Sequence, residues 1–147
     1  MIDTASAIRH LCTAGFWVDN CRKFSFTQKG KNQYYIQSWH GFPLKRIEKD
    51  AGGALPPDYV LSAKKDSAMF DLFLSDSNFL TDIYHSAFWY DGEVLEGGLP
   101  RNDILVKGDE AAADKVYEAF GLDRDTQIIL YAPTFRRDMG LEVYDLD

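Results

Sequence analysis

Short apolar runs alternate with helical stripes along most of this chain, and this alternation constrains its fold more than any other feature of the sequence. Runs rich in β-branched and aromatic residues are typical of buried strands, whereas apolar residues at i, i+3, i+4 and i+7 are typical of amphipathic helices. Strands that alternate with helices favour an α/β fold with a doubly wound, mainly parallel sheet. The predicted strands are Phe16–Asn20, Tyr34–Gln37, Phe70–Ser75, Glu93–Glu96 and Gln127–Tyr131.

Capping residues and glycines mark the ends of the predicted helices. Asp3 or Thr4 caps a first helix, Ser77 or Asp76 caps a helix after the third strand, and Gly121 closes the last one. Turn-forming residues predict a loop over Ala51–Asp58, followed by a short helix over Leu61–Ala68.

The stretch Ser38–Lys45 follows the second strand and is the strongest candidate for a functional loop. In open α/β sheets, ligands bind at the carboxyl ends of the strands. Pro43 is predicted to begin a helix, because proline is preferred at the first helical position, and a helix N-terminus offers free N–H groups to an anion. His40, between Trp39 and Gly41, is therefore the candidate reactive group. A hydrogen-bonded loop histidine beside a packing tryptophan is equally compatible with the spacing alone.

Two further loops at strand ends carry donors suited to phosphate. Arg101, Asn102 and Asp103 follow the fourth strand, and Thr134 and Arg136 follow the fifth. Guanidinium groups bind phosphate in bidentate geometry, and amide and hydroxyl groups add further hydrogen bonds. Three such loops at one sheet edge would form a single anion site. The alternatives are a capping pair between Arg101 and Asp103 and a solvated Arg136.

Charge is unevenly distributed along the chain. The formal net charge is -7, which argues against a nucleic-acid-binding surface over the whole molecule. The segment from Arg22 to Lys49 nevertheless holds seven Lys and Arg residues against Glu48 alone. This basic segment predicts an anionic ligand or an anionic membrane surface nearby. A solvated basic loop is the alternative.

Several classes of protein lack support in the sequence. Dinucleotide, P-loop and zinc-binding motifs are absent, so neither a cofactor nor a metal is expected. The sequence has no long apolar window and no signal-peptide pattern. We therefore expect a cytoplasmic protein, with peripheral contact to the inner face of the cell membrane.

Three motifs in this order resemble those of a known family: Gln37–Lys45, Gly98–Leu105 and Ile129–Arg136. Together they are similar to the CDP-glycerol:poly(glycerophosphate) glycerophosphotransferase family, which contains teichoic-acid polymerases and primases. The likeness extends from about Ala7 to Arg136. The chain departs from the family at Phe42, where the family usually has threonine.

The resemblance implies two Rossmann-like domains in the glycosyltransferase-B arrangement. Residues 1–122 would form the acceptor-side domain without its first strand, and residues 123–147 would begin a truncated nucleotide-binding domain. The chain would then be a fragment of the N-terminal half, inactive by itself.

The resemblance also implies a reaction and a set of roles. Glycerol phosphate would pass from CDP-glycerol to a hydroxyl of a membrane-anchored, polyanionic glycerol phosphate acceptor, with release of CMP. A related CDP-ribitol or nucleotide-sugar transferase and a non-catalytic anion-binding module are the alternatives. His40 would act as the general base, and the expected substrate-binding residues are Gly41, Lys45, Arg101, Asn102, Asp103, Thr134 and Arg136.

Overall fold

The computed structural model describes residues 4–132. The strands are β1 (Phe16–Asp19), β2 (Tyr34–Gln37), β3 (Leu72–Ser75) and β4 (Val94–Glu96). The α-helices are α1 (Ala5–Thr13), α2 (Pro57–Ser67), α3 (Asn78–Ala87), α4 (Asp103–Lys107) and α5 (Glu110–Phe120). Two 3₁₀ segments, Glu48–Ala54 and Pro100–Asn102, complete the regular structure.

The four strands form one parallel sheet in chain order, β1-β2-β3-β4. Trp17 lies opposite Tyr35, and Gln37 lies opposite Phe73. Parallel neighbours need crossover connections, and α2 and α3 supply two of them. The prediction of a parallel α/β fold is confirmed, because all three strand pairs run parallel.

The core lies on one face of this sheet. Tyr35 and Phe73 point into it and are fully buried. Helix α3 covers them with Leu80 and Tyr84, and the rings of Phe73 and Tyr84 stack with centroids 3.7 Å apart. Each such side chain contributes about 1.5–3 kcal/mol through burial. The aromatic residues of the strands therefore fix helix α3 against the sheet.

The opposite face of the sheet is also apolar. Phe16 is 72% exposed and Val18 is 70% exposed, and Leu95 on β4 is exposed as well. Apolar side chains on both faces are typical of parallel sheets with helices on both sides.

The predicted caps of two helices are confirmed. The Thr4 hydroxyl accepts a hydrogen bond from the Ala7 amide at 3.2 Å, and the Ser77 hydroxyl accepts one from the Leu80 amide at 3.4 Å. Gly121 ends α5 in the left-handed conformation, with φ of 62°.

The predicted helix at Pro43 is wrong. Residues 41–47 are irregular, and the next helical segment begins only at Glu48. Leu44, Ile47 and Ala51 are the only apolar positions between Pro43 and the Gly52-Gly53 pair, which is too little apolar surface to support a helix. Phe42 instead anchors the loop by stacking on Phe79 of α3, with centroids 5.3 Å apart.

The predicted loop over Ala51–Asp58 is also wrong. The segment Glu48–Ala54 is 3₁₀ on both sides of a kink at Gly52, where φ is 67°, and α2 already begins at Pro57. Proline at the first helical position loses no hydrogen bond, so the Pro56-Pro57 pair starts this helix rather than a turn.

The predicted strand Gln127–Tyr131 does not form in the described part of the chain. These residues are irregular, and Leu130 is 86% exposed. A strand needs a neighbour to satisfy its backbone groups, and residues 107–132 contain no strand that could pair with this segment.

The chain divides into two compact units, Met1–Val106 and Lys107–Asp147. The first unit holds the sheet and helices α1–α3. In the second, Arg124 pairs with Glu110 and Asp114 of α5, and the Tyr117 hydroxyl donates to the carbonyl of Thr126 at 3.0 Å. The predicted boundary between residues 122 and 123 stays a prediction.

Candidate active site

A buried amide shapes the turn that carries His40. Gln37, the last residue of β2, is fully buried, and its Oε1 accepts a hydrogen bond from the Trp39 amide at 2.9 Å. Its Nε2 donates to the carbonyl of Cys21 and to the hydroxyl of Tyr35, both at 3.1 Å. The chain therefore turns at a fixed point just beyond the carboxyl end of β2.

Trp39 sits in the left-handed region, with φ of 53°. A bulky side chain rarely adopts this conformation, and it persists only where the surrounding contacts impose it. The indole is buried and meets the ring of Phe88 edge-on, with centroids 4.7 Å apart. The strained backbone directs the next residue, His40, outward.

The imidazole of His40 stacks on this indole. The ring centroids are 4.1 Å apart and the planes differ by 28°. His40 is exposed, and its ring makes no hydrogen bond with another residue in the range 4–132. Both ring nitrogens are thus available to a substrate at the carboxyl edge of the sheet.

Arg101 lies beside the same loop. The 3₁₀ turn that begins at Pro100 brings its guanidinium to the carbonyls of Trp39 and Ser38, to which Nη1 donates at 3.0 and 3.4 Å. The structure therefore brings Arg101 and the His40 loop together, as the sequence predicted. Binding of substrate by Arg101 stays a prediction.

The other predicted site residues lie in different local environments. Lys45 is exposed and lines a groove of about 250 Å³ with Arg46, Phe79 and Ile83. Gly41 has open space where a Cβ would stand, so no close approach within the described residues requires glycine there. Asn102 ends the 3₁₀ turn and Asp103 begins α4, whereas Thr134 and Arg136 lie outside the described residues.

The basic segment exposes fewer unpaired cations than the sequence suggests. Lys23 pairs with Asp19, Lys29 pairs with Asp71, and Arg22 is buried against two carboxylates. Within this segment, the exposed basic residues without an ion pair to another described residue are Lys31, Lys45, Arg46 and Lys49. Lys45, Arg46 and Lys49 are close in sequence, so the unpaired positive charge is concentrated near the His40 loop.

Sequence reasoning missed the role of Arg22, which it counted as part of the basic segment. Arg22 follows β1 and contacts Glu48 and Asp66, which are far from it in sequence. Burial raises the pKa of Asp66 to about 6, and the guanidinium of Arg22 opposes this shift. No spacing rule links such distant residues, so only the fold reveals the cluster.

The parallel sheet defines the class of fold as Rossmann-like α/β of the glycosyltransferase-B type, and an exposed histidine lies at its carboxyl edge. The sequence profile of the CDP-glycerol:poly(glycerophosphate) glycerophosphotransferase family matches residues 1–146, and the chain belongs to this family.

Curated relatives agree with this assignment. The chain is 39% identical over 133 residues to a teichoic acid poly(glycerol phosphate) polymerase of Staphylococcus epidermidis, covering 85% of this chain and 18% of the relative. It is 32% identical over 133 residues to a teichoic acid glycerol-phosphate transferase of Staphylococcus aureus, covering 85% of this chain and 34% of the relative. The chain therefore spans at most about a third of the length of these relatives.

Solved structures agree as well. The wall teichoic acid polymerase TagF, in a variant with one histidine replaced by alanine, matches 95% of this chain and 36% of its own, with 35% identity and a TM-score of 0.82. A second TagF structure, in which a histidine is replaced by asparagine and CDPG was soaked in, matches with 34% identity and a TM-score of 0.81, covering 95% of this chain and 36% of its own.

Proposed function

We propose that this chain contributes the acceptor-side part of an enzyme that transfers glycerol phosphate from CDP-glycerol to a hydroxyl of a membrane-anchored glycerol phosphate acceptor, releasing CMP. The observation that carries the proposal is the exposed imidazole of His40 on its buried indole at the carboxyl edge of the sheet. Membership of the glycerophosphotransferase family supports the chemistry.

The proposed mechanism starts with the acceptor alcohol, which is a poor nucleophile at neutral pH. An imidazole is the side chain best able to take its proton in this pH range. His40 would remove the hydroxyl proton while the oxygen attacks the β-phosphorus of CDP-glycerol. The bond from this phosphorus to the bridging oxygen breaks, and CMP leaves with that oxygen.

Negative charge that builds up on the phosphate oxygens needs fixed cations nearby. Lys45 and Arg101 are the candidates within the described residues, and Thr134 and Arg136 are proposed for the donor side. Since no helix begins at Pro43, a helix dipole makes no contribution at that point. The cationic side chains would therefore have to stabilise this negative charge.

Contact with the acceptor at a membrane surface is part of the proposal. Leu44 is 95% exposed next to Lys45 and Arg46, and Phe42 is exposed beside them. Exposed apolar side chains flanked by cations favour the surface of an anionic bilayer. Within residues 4–132, no helix has the length and apolarity to cross a bilayer, and we propose a peripheral association on the cytoplasmic side.

The test is replacement of His40 by alanine in the intact gene product that carries this chain. We expect transfer of labelled glycerol phosphate from CDP-glycerol to fall by about two orders of magnitude or more, because the general base is lost. His10→Ala is the control, since His10 is exposed on α1. A His40→Ala enzyme with near-normal turnover contradicts the proposed role, and competition with CDP-ribitol and UDP-sugars tests the donor.

A further inference from the structure

We infer that Arg22 is a positioning residue, which holds Trp39 and through it the imidazole of His40 in the orientation needed for proton removal. The inference rests on the proposed function for its catalytic consequence. Its geometric part, control of the imidazole by Arg22, stands on the contacts alone.

Arg22 uses its donors on buried partners. Nη2 and Nε donate to Oε2 of Glu48 at 2.8 and 3.2 Å. Nη1 donates to the carbonyl of Ala63 at 3.0 Å, to the hydroxyl of Ser67 at 3.1 Å and to Oδ2 of Asp66 at 3.3 Å. The side chain is only 11% exposed. An arginine with this many hydrogen bonds to buried groups has a fixed position in the structure.

The guanidinium also contacts the aromatic residues behind His40. Its central carbon lies 5.8 Å from the ring centroid of Trp39 and 5.2 Å from that of Phe88. A cation over the face of an aromatic ring is attracted to it, more strongly where water is excluded. The indole is therefore held by Arg22 and Phe88, and it carries His40 at 4.1 Å.

The strained backbone of this region coincides with these contacts. Among the described residues, three other than glycine have positive φ: Trp39, Glu48 and Trp89. Arg22 contacts the first two of these directly. Strained residues persist where neighbouring groups over-determine them, and they cluster at functional sites. An ion cluster that served stability alone would not require strain at the residue preceding an exposed histidine.

His40 has no orienting hydrogen bond within residues 4–132, so its direction depends on the stack with Trp39. Loss of the fork of Arg22 would free the indole, and the imidazole would move with it. A displacement of about 1 Å at a reacting group can cost on the order of a hundredfold in rate.

The test uses Arg22→Lys, which keeps the charge but loses the planar fork. In the 147-residue chain, NMR would report the ring protons of His40, and we expect the stacked indole to shift them upfield. His10 serves as the exposed reference, and His40→Ala assigns the signal. We expect Arg22→Lys to move the His40 signals toward those of His10. In the intact gene product we expect kcat to fall by about 10- to 100-fold, with KM for CDP-glycerol changed less than about twofold.

Lys23→Gln is the matched control, because Lys23 is the adjacent cation and pairs with Asp19. It should leave the His40 signals and kcat unchanged. Should Arg22→Lys fail to fold, Glu48→Gln removes one charge of the cluster at the same size, and it should move the His40 signals in the same direction to a smaller extent.

Unchanged His40 signals in the Arg22 and Glu48 variants would overturn the inference, whether or not kcat falls. Shifted signals with unchanged kcat would overturn its catalytic part. Shifted signals in a protein whose wild type transfers nothing from CDP-glycerol would leave the positioning intact and remove the proposed function.

Discussion

The imidazole of His40 is oriented by an aromatic stack, and this arrangement differs from the common one in which a carboxylate or carbonyl holds the second ring nitrogen. Stacking on the indole fixes the plane of the imidazole, so the position of the indole decides where the nitrogens point. Residues that fix the turn at Ser38 and Trp39 would therefore control the geometry of the proposed proton removal.

Arg101→Lys tests this control from the other side of the loop. A single nitrogen, Nη1, donates to both carbonyls, and the shorter lysine side chain keeps the charge but does not bring its ammonium to the same point. We expect kcat of the intact gene product to fall about tenfold, because the loop loses one restraint. Arg124→Lys is the control, since Arg124 lies in the second unit and is ion-paired there. An unchanged kcat would show that Arg101 neither binds substrate nor restrains the loop.

Asp66 gives a prediction about pH. Burial raises the pKa of Asp66 from 3.8 to about 6, so the folded state keeps a proton that the unfolded state releases earlier. The folded state binds more protons between about pH 4 and pH 6, and the contribution of Asp66 to stability falls as the pH rises through this window.

We expect Asp66→Asn to remove this contribution, which is on the order of 2 kcal/mol. Urea unfolding of the 147-residue chain at pH 4.5 and pH 7 measures it, as the difference between variant and wild type. The exposed Asp58, in the first turn of α2, supplies the control Asp58→Asn. Equal pH dependence in wild type and Asp66→Asn would contradict the prediction.

At the scale of elements, helix α3 links the core to the site. Its inner side packs on Phe73 of the sheet, and its Phe79 stacks on Phe42 of the His40 loop. The hydroxyl of Tyr84 is buried without a hydrogen-bond partner among the described residues, and burial raises the pKa of this phenol. A polar group buried in this way costs free energy.

Tyr84→Phe should therefore stabilise the 147-residue chain by about 1 kcal/mol, because the ring stack remains and the unpaired hydroxyl is removed. Urea unfolding measures the change. Tyr35→Phe is the comparison, because the Tyr35 hydroxyl accepts a hydrogen bond from Gln37, and its loss should destabilise the chain. A destabilised Tyr84→Phe variant would show that this hydroxyl has a partner in solution.

The sequence predicted correctly those elements that are determined by contacts between residues close together in the chain. The strand Tyr34–Gln37 and the cap at Ser77 were correct, because apolar pattern and capping act within a few residues. The helix at Pro43 was wrong, because too few apolar residues follow it and Phe42 instead stacks on Phe79, which is distant in sequence. The strand Gln127–Tyr131 was wrong in the described residues, because a strand depends on a partner that the sequence does not show.

The candidate site follows the same division. The sequence alone was sufficient to place His40 just beyond the end of β2. Ion pairing decided which cations are available, and it depends on residues far apart, such as Lys29 and Asp71. The sequence therefore located the loop correctly but overstated the basic surface around it.

At the scale of the whole molecule, a net charge of -7 coexists with a proposed anionic partner. Binding to an anionic surface depends on the local field within about a Debye length, about 10 Å at 0.1 M salt, and not on net charge alone. Lys45 and Arg46 are exposed and unpaired among the described residues, next to the apolar Leu44. We therefore expect this loop to be the part of the described chain that contacts a membrane or a polyanionic acceptor.

Replacing Lys45 and Arg46 together by glutamine should weaken binding to vesicles that contain phosphatidylglycerol by at least about tenfold at low salt, because each cation contributes about 1 kcal/mol near such a surface. The difference should shrink in high salt. Lys23→Gln with Lys29→Gln is the matched control, since it removes the same charge from side chains that are already paired. Equal losses in both double variants would mean that net charge governs binding, and the loop would then have no special role at the membrane.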